Sequence, residues 1–412
     1  MILEFSERIA SEEFAQSARH PDFPNAFTRS RKLPLPALIG ALLTMRNQSQ
    51  QAMLDTFFAS VNGTHELSRV VSDRAFAKAR DRLHMPALAA LNDLVVARAD
   101  AAGLIPRWCG LRVVAADASL LMPATRACLL SRSAAEPDQR LFVLYLPGAE
   151  LTLHASVHSQ FVAERRMLVE ALDVLGPDDV LVLDRGYPAA WLIALLNARG
   201  IRFVMRCDNS GGWMATRKFM RSGAQDTRVT ISAPSAKEIS DWQCPPGPPS
   251  VRMVRQTSPN GQVRALATNL DSTAFPAALF GDLYHQRWRI EEAFKRLKHP
   301  LKLESVSGLS QHALIIDVAA KVLADNITSL MCSAASAQAD HAAHSRKCNR
   351  CYAATVMQRL LPGLVLFLDN AAAAINDALT LLGATYQRFV PNRSSPRPSH
   401  RVKPHPSLAY KG

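Results

Sequence analysis

Hydrophobic residues along the first hundred positions recur with the period of an α-helix. Between Pro36 and Ser60 they fall at Leu38, Leu42, Leu43, Met53, Leu54, Phe57 and Phe58, the three- and four-residue spacing of a buried helical face. Ser72 opens another helix that runs to Leu83, with Phe76, Ala79 and Leu83 as its inner stripe. Arg74, Lys78 and Arg82 stand four apart on a second face. That spacing suits a DNA-contacting helix and a solvated charged face equally well.

The pattern changes at Leu111. Leu111 to Asp117 is a short apolar run ending in a carboxylate, which predicts a buried strand. Leu141 to Leu146 and Leu151 to Val157 predict two more strands, joined at Pro147-Gly148 as a hairpin. Val162 to Leu175 reads as a helix, and Val180 to Asp184 as a second apolar run ending in Asp. A helix from Pro188 to Arg199, stopped by Gly200, leads to a strand from Ile201 to Met205. This succession of strands and helices is a mixed α/β layout. From Asp208 to about Asp271 the regularity breaks, with Gly211-Gly212, Pro234 and the run Pro245 to Pro249. Short strand-like pieces between them predict a β-rich insertion. A long helix from Phe280 to His299, stopped at Pro300, opens a mostly helical remainder that reaches about Leu382. The segment from Tyr386 on is rich in Pro, Ser and Arg and reads as disordered.

With 412 residues, 48% of them hydrophobic and 20% charged, the chain can bury a sizeable core. Two or three domains are expected at about 150 residues each. The formal charge of +13 points toward a polyanionic partner. Six of those charges lie beyond Ala384, which leaves +7 for the rest and weakens charge as evidence for a basic surface. The first residues are acidic where a signal peptide is basic. The most apolar window, Leu360 to Leu368, holds Pro362 and is too short for a bilayer span. Seven scattered cysteines do not form a disulfide framework. These features predict a reduced, cytoplasmic protein.

Asp117 and Asp184 both end apolar strand runs, where ligand sites of α/β sheets collect. If the strands are neighbours their carboxylates meet, and a close pair binds a metal or shares a proton. Taken alone, an Asp ending a strand is more often a helix cap or turn residue. On the helix from Phe280, Tyr284, Arg287, Glu291 and Lys298 fall within about 60° of one another at about 100° per residue. Glu291 borders the buried stripe of Ile290, Phe294 and Leu297, whereas Glu292 points away. Arg287 and Lys298 flank Glu291 as phosphate-binding cations, with Lys295 near that face and Arg296 off it, so Arg296→Ala is expected to be nearly silent in binding. The same spacing also fits a surface Arg287–Glu291 pair.

Tyr284-His285-Gln286-Arg287-Trp288-Arg289-Ile290-Glu291, continuing to Lys298, resembles the signature of the insertion-sequence-four family of bacterial DDE transposases: Tyr, two residues, Arg, three residues, Glu, six residues, Lys. Asp184-Arg185-Gly186-Tyr187 and Asp117-Ala118-Ser119 resemble that family's two aspartate motifs, and Ser72 to Leu83 its N-terminal segment. The resemblance spans roughly residues 30 to 335.

It implies an α/β, ribonuclease-H-like catalytic core interrupted by a β-rich insertion, with a helical N-terminal DNA-binding region and a helical C-terminal region. The corresponding boundaries are 1–105 for the N-terminal region, 106–207 and 279–335 for the two parts of the core, 208–278 for the insertion, 336–385 for the C-terminal helices and 386–412 for a basic tail. It further implies Asp117, Asp184 and Glu291 as catalytic ligands of two Mg²⁺ ions, or Mn²⁺ in their place. Tyr284, Arg287 and Lys298 become DNA contacts at the transposon end. The expected activity is phosphodiester hydrolysis that frees 3′-OH ends, followed by their transfer into target DNA. DNA is the expected partner, with a homodimer assembled on it in the bacterial nucleoid. A ribonuclease-H-like nuclease without strand transfer and a non-catalytic DNA-binding relic are the alternatives.

Two further groups stand apart. His341, His344, Cys348 and Cys351 lie at helical spacing and are zinc-ligand types. Spread along about 15 Å of straight helix they cannot close one tetrahedron, so a zinc site needs a break there. Trp213 and Trp242 in the insertion suit stacking on an unpaired base or packing in a core, with packing the plainer role.

Overall fold

The computed structural model describes residues 2–29, 31–45, 49–64, 66–123, 138–207, 213–258, 261–308, 310–366 and 371–388. The chain divides into two compact units. One comprises Met1–Leu104, Leu120–Gln139 and Ala293–Gly412, and the other Ile105–Ser119 and Arg140–Glu292.

The first unit is built of helices. The apolar run expected as one helical stretch between Pro36 and Ser60 forms two, Leu35–Thr44 and Gln50–Val61, because Met45 leaves helical backbone (φ −61°, ψ 130°). Ser72 caps the helix Asp73–Arg80 by accepting from the Ala75 N–H, and Phe76 beneath it is fully buried. Met85–Ala101 and the long Gln311–Gln338 complete the central packing, followed by Arg350–Val365 and Ala371–Ala384. Among the described residues no helix is long and apolar enough to cross a membrane.

The second unit is organised by a sheet. Its strands are β1 (Arg107–Trp108), β2 (Leu111–Leu121), β3 (Gln139–Leu146), β4 (Leu151–Ser159), β5 (Asp179–Leu183), β6 (Arg202–Cys207), β7 (Asp226–Thr230), β8 (Ser250–Thr257) and β9 (Val263–Thr268). They lie in the order β4-β3-β2-β5-β6-β9-β8-β7, with β1 beside β2. β2, β5 and β6 run parallel, and β9, β8 and β7 continue antiparallel. The three central strands read as continuous apolar runs because both faces are covered. On one face Leu111, Val113, Val180, Val182 and Val204 pack with Phe280 and Leu283. Each such side chain contributes about 1.5–3 kcal/mol of transfer free energy.

The strands of the irregular region after Asp208 form no sheet of their own. β9 pairs with β6, Val204 opposite Thr268, so they extend the central sheet and cover an edge that β6 would otherwise expose.

Two further differences from expectation concern the ends of elements. The stretch beginning at Tyr386 was expected to be disordered, yet β11 (Tyr386–Arg388) pairs antiparallel with β10 (Arg346–Cys348). Tyr386 is held there by the Arg346 guanidinium, 4.1 Å over its ring. Gly211-Gly212 and the tail beyond Arg388 lie outside the described residues. The expected helix from Phe280 to His299 is two helices, Phe280–Gln286 and Arg289–Lys298. At the junction Arg287, Trp288, Ile290 and Glu291 each donate to the carbonyl three residues back. Such tight bonding turns the chain by about 120° per residue, so an angle count at 100° does not carry across it.

Candidate functional site

The parallel pairing of β2 and β5 places the two aspartates. Ala115 stands opposite Val182. Carried two residues further, that register sets Asp117 against Asp184. Asp117 lies within β2 and Asp184 just beyond β5. The buried pair Arg112–Asp179, at 2.6 Å, ties the opposite end of the same two strands.

The loop after Asp184 is fixed by its own backbone. Asp184 Oδ1 accepts from the Gly186 N–H at 2.7 Å. A Cβ at Gly186 would stand 3.1 Å from that oxygen and 3.9 Å from Glu164 Oε2, so glycine is what allows the close approach. Arg165, on the short helix Glu164–Glu170, donates to the carbonyls of Gly186 and Pro188 and so braces this loop against its own helix.

Opposite these strands, Arg287 stands between two carboxylates. Its Nη1 is 3.4 Å from Asp117 Oδ2 and its Nη2 is 3.9 Å from Glu291 Oε1. The guanidinium is buried, with the Tyr284 ring 6.0 Å away. Glu291 is half-buried and Glu292 is exposed, so the two adjacent acids do face differently.

The charges in this place do not balance. Burial pushes the Asp117 carboxyl up to about 7, the Asp184 and Glu164 charges push it the same way, and Arg287 and the Ala118 N–H oppose them. Burial and then Asp184 also raise Glu164, against the pull of Arg140 at 3.2 Å. The Tyr187 phenol is raised well above its ordinary value by burial and by Glu164, Asp117 and Asp184. Its hydroxyl is fully buried and has no hydrogen-bond partner among the described residues. Among those residues no three His, Cys, Asp or Glu side chains are drawn together closely enough to hold one metal ion as they stand.

The remaining expected residues are placed as follows. Tyr284 is buried among Val254, Leu266 and Leu283 of the sheet unit's core. Lys298, in the helical unit, donates to the Leu120 carbonyl and lies 3.8 Å from Glu304. Lys295 is exposed. Arg296 is not the neutral surface position expected: it is buried and pairs with Asp325 at 3.4 Å. His341, His344, Cys348 and Cys351 do not share a helix. They run from a turn through β10 into Arg350–Val365, with His341 bonded to the Gly383 carbonyl and Cys348 Sγ 3.2 Å from Cys332 Sγ. Trp242 stacks on Trp191 at 4.2 Å and is part of the packing. Sequence reasoning passed over Glu164 and Arg140, which have no motif spacing to mark them, and quoted Tyr187 without assigning it a role.

A family model described as a transposase DDE domain matches residues 131–327. A curated relative, the transposase InsG for insertion sequence element IS4 of Escherichia coli (strain K12), is 23% identical over 312 residues, covering 70% of this chain and 67% of the relative. Among solved structures, a piggyBac transposase synaptic complex with hairpin DNA aligns over 95% of this chain and 87% of its own, with 10% identity and a TM-score of 0.42, a likeness too low to bear on the site.

Proposed function

This chain belongs to the insertion-sequence-four family of DDE transposases, and on that premise we propose that it binds insertion-sequence ends, hydrolyses phosphodiester bonds there to free 3′-OH ends, and transfers those ends into target DNA. The observation that carries the reading is the excess of carboxylate around one buried guanidinium, with Asp117 and Glu291 both on Arg287 and Asp184 acting on Asp117.

The family implies divalent cations, Mg²⁺ or Mn²⁺, two of them. The donor chemistry fits: hard carboxylate oxygens, mutually repelling and short of positive charge, are what such ions take. Asp117, Asp184 and Glu291 would hold them. When bound, the cations supply the positive charge that activates water and stabilises the departing oxygen of the cleaved bond. Arg287 then has no carboxylate left to neutralise, and its guanidinium is free for a DNA phosphate. Lys298 adds a second cation for the backbone of the DNA end. Tyr284 acts through Arg287, whose guanidinium its ring supports. Its phenol, buried and held above its ordinary pKa by that burial, is a poor nucleophile. Hydrolysis by water and attack by the resulting 3′-OH need no covalent protein–DNA intermediate.

The strand order β4-β3-β2-β5-β6, parallel through its last three members, supports a ribonuclease-H-like core whose insertion supplies β7 to β9. DNA is the partner, and a homodimer on paired ends in the cytoplasm, at the nucleoid, is the working assembly. The test uses the inverted repeats flanking the gene as substrate. Wild type with Mg²⁺ should nick at the repeat ends, while Asp117→Asn, Asp184→Asn and Glu291→Gln bind the same DNA without cutting it. Normal nicking by any of the three rejects that residue's assignment.

A further inference from the structure

Arg74, Lys78 and Arg82 stand four apart in the sequence but do not share a helical face. The helix Asp73–Arg80 ends before Arg82, which lies in the turn that follows, its N–H on the Ala79 carbonyl at 3.1 Å. Two backbone bonds tie this turn to the chain that leaves the helix Glu12–Ser17. His20 donates to the Arg82 carbonyl and His84 to the Ala18 carbonyl, both at 2.9 Å, around a bridge between Arg19 and Leu83. The Phe23 N–H bonds in turn to the His20 carbonyl at 2.8 Å. This clamp brings Phe23 to Arg82, whose guanidinium stands 5.7 Å over the ring.

Both segments belong to the helical unit, and they line a concavity of about 600 Å³. Sites for small molecules run to about 300–1,000 Å³. The lining carries Arg29, Arg31 and Arg82, none of them paired with an acid among the described residues. The acid that lines it, Asp22, is turned to His20, 3.7 Å from Nδ1. Phe23 is 42% exposed, an aromatic ring left uncovered in a basic hollow. Phe27, also on the lining, is held at φ 62°, a left-handed backbone that a bulky side chain rarely adopts.

Arginines in such a hollow suit phosphate oxygens. A phosphate alone has no use for an exposed ring, and the bases of an intact duplex keep their faces stacked on one another. Ring and cations together match an unpaired nucleotide, with a face for the base and charge for the backbone. We propose that this concavity binds a nucleotide of single-stranded DNA, its base stacked on Phe23 and its phosphates held by Arg29, Arg31 and Arg82. The inference goes beyond the cleavage reading above and uses none of the acids of the sheet unit.

The experiment titrates full-length protein, in chelator, into a fluorescein-labelled oligothymidylate and into a labelled duplex of unrelated sequence, followed by anisotropy. Phe23→Leu, Phe23→Tyr, Arg82→Gln and Lys32→Gln are compared with wild type. Lys32 is exposed in the same loop but does not line the concavity, and serves as the control. Phe23→Leu should weaken the single strand about tenfold, the usual cost of one lost stacking partner, and leave the duplex unchanged. Phe23→Tyr keeps the ring and should bind as wild type. Arg82→Gln should weaken the single strand and lower its salt slope by about 0.7, the change for one lost phosphate. Wild type that does not bind the single strand, or Phe23→Leu that binds it as wild type, overturns the proposal. So does an equal loss on single strand and duplex in Phe23→Leu, or a loss in Lys32→Gln as large as that in Arg82→Gln, since either reduces the site to surface charge. Without metal, none of these outcomes bears on cleavage.

A second measurement needs no variant and so does not depend on how Phe23→Leu folds. An oligonucleotide carrying 5-iodouracil, irradiated with the wild-type protein, attaches to aromatic side chains stacked on that base. Attachment should fall on Phe23. Attachment elsewhere without any at Phe23 overturns the proposal.

Discussion

Two groups of charged residues in this protein, one buried and one half-buried around a buried guanidinium, are built on opposite terms. In the helical unit, Asp325 takes Arg296 and Arg350 at 3.4 Å each, and Asp317 accepts from both the N–H and the hydroxyl of Ser307. Lys321, also buried, gives its ammonium to the carbonyls of Lys302 and Ser305. Each of these charged groups has an opposite charge or a hydrogen-bond partner within the chain. In the sheet unit, Arg287 stands against Asp117 and Glu291 and Arg140 against Glu164, and burial with the like charges of Asp184 and Glu164 pushes Asp117 up to about 7. A buried charge cluster that is complete holds a fold together. One that carries more acid than base is suited to something from outside, which in the proposed function is a divalent cation with a DNA phosphate.

The widest separation between the two clusters should come from one substitution in each. Asp184→Asn is expected to lower metal-dependent nicking of end DNA by about a thousandfold or more, about 4 kcal/mol in barrier, while the urea midpoint stays the same or rises. Asp325→Ala should do the reverse. It strands Arg296 and Arg350 and should cost about 3–5 kcal/mol of stability, with nicking per folded molecule preserved at low temperature. A stable Asp325→Ala protein would break the comparison, since the cluster called complete would then be dispensable.

Acidity separates them next. The Asp117 carboxyl lies at about 7 in the fold, against 3.8 for an ordinary aspartate. The native state therefore keeps a proton that the unfolded chain releases. Stability contributed by that proton is full below about pH 4 and is lost as pH rises through about 7. At about 1.4 kcal/mol per unit the loss is at most about 4 kcal/mol. In chelator, Asp117→Asn should flatten the stability profile between pH 4 and 7 and be more stable than wild type at pH 8. Mn²⁺ should narrow that gap by stabilising the wild type. Equal profiles for wild type and variant, followed by chemical denaturation at each pH, would show that Asp117 is not strained.

What the sequence disclosed, and what it hid, follows the same division. Asp117 and Asp184 could be picked out as strand-end carboxylates because apolar runs bury β2 and β5, and parallel pairing carries the two residues into register. The choice of Glu291 over Glu292 was legible from the stripe of Ile290, Phe294 and Leu297. The break at Arg287-Trp288 was not, since no Gly or Pro marks it and its cause is the tight bonding between the two helices. Arg296 looked like a surface cation because its partner, Asp325, lies 29 residues away in sequence. Glu164 went unremarked for the same reason: its nearness to the Asp184 loop comes through the Arg165 bond to Gly186 and not through any local spacing. β7 to β9 were read as strands from their pattern, but their attachment to β6 depends on an edge that no local pattern records.

The smallest expected effect tests how Arg287 leaves its carboxylates. As it stands, the guanidinium is buried between Asp117 and Glu291, which is no posture for holding DNA. In the proposed function it becomes available when another cation takes over those acids. DNA binding by the wild type should therefore tighten when Mn²⁺ is added, and the tightening should be missing in Arg287→Ala. The salt dependence of end binding in Mn²⁺ should fall by about one unit in that variant, the change for one lost phosphate contact. Lys295→Ala is the right comparator, because Lys295 is exposed on the helix that follows the break. Arg296→Ala is not, since it opens the Asp325 cluster and confounds binding with folding. Lys295→Ala should lose a little affinity equally with and without Mn²⁺. If Arg287→Ala shows the same metal-independent loss, Arg287 is an ordinary basic contact, and the shortage of positive charge in the sheet unit is not what couples the cation to the DNA.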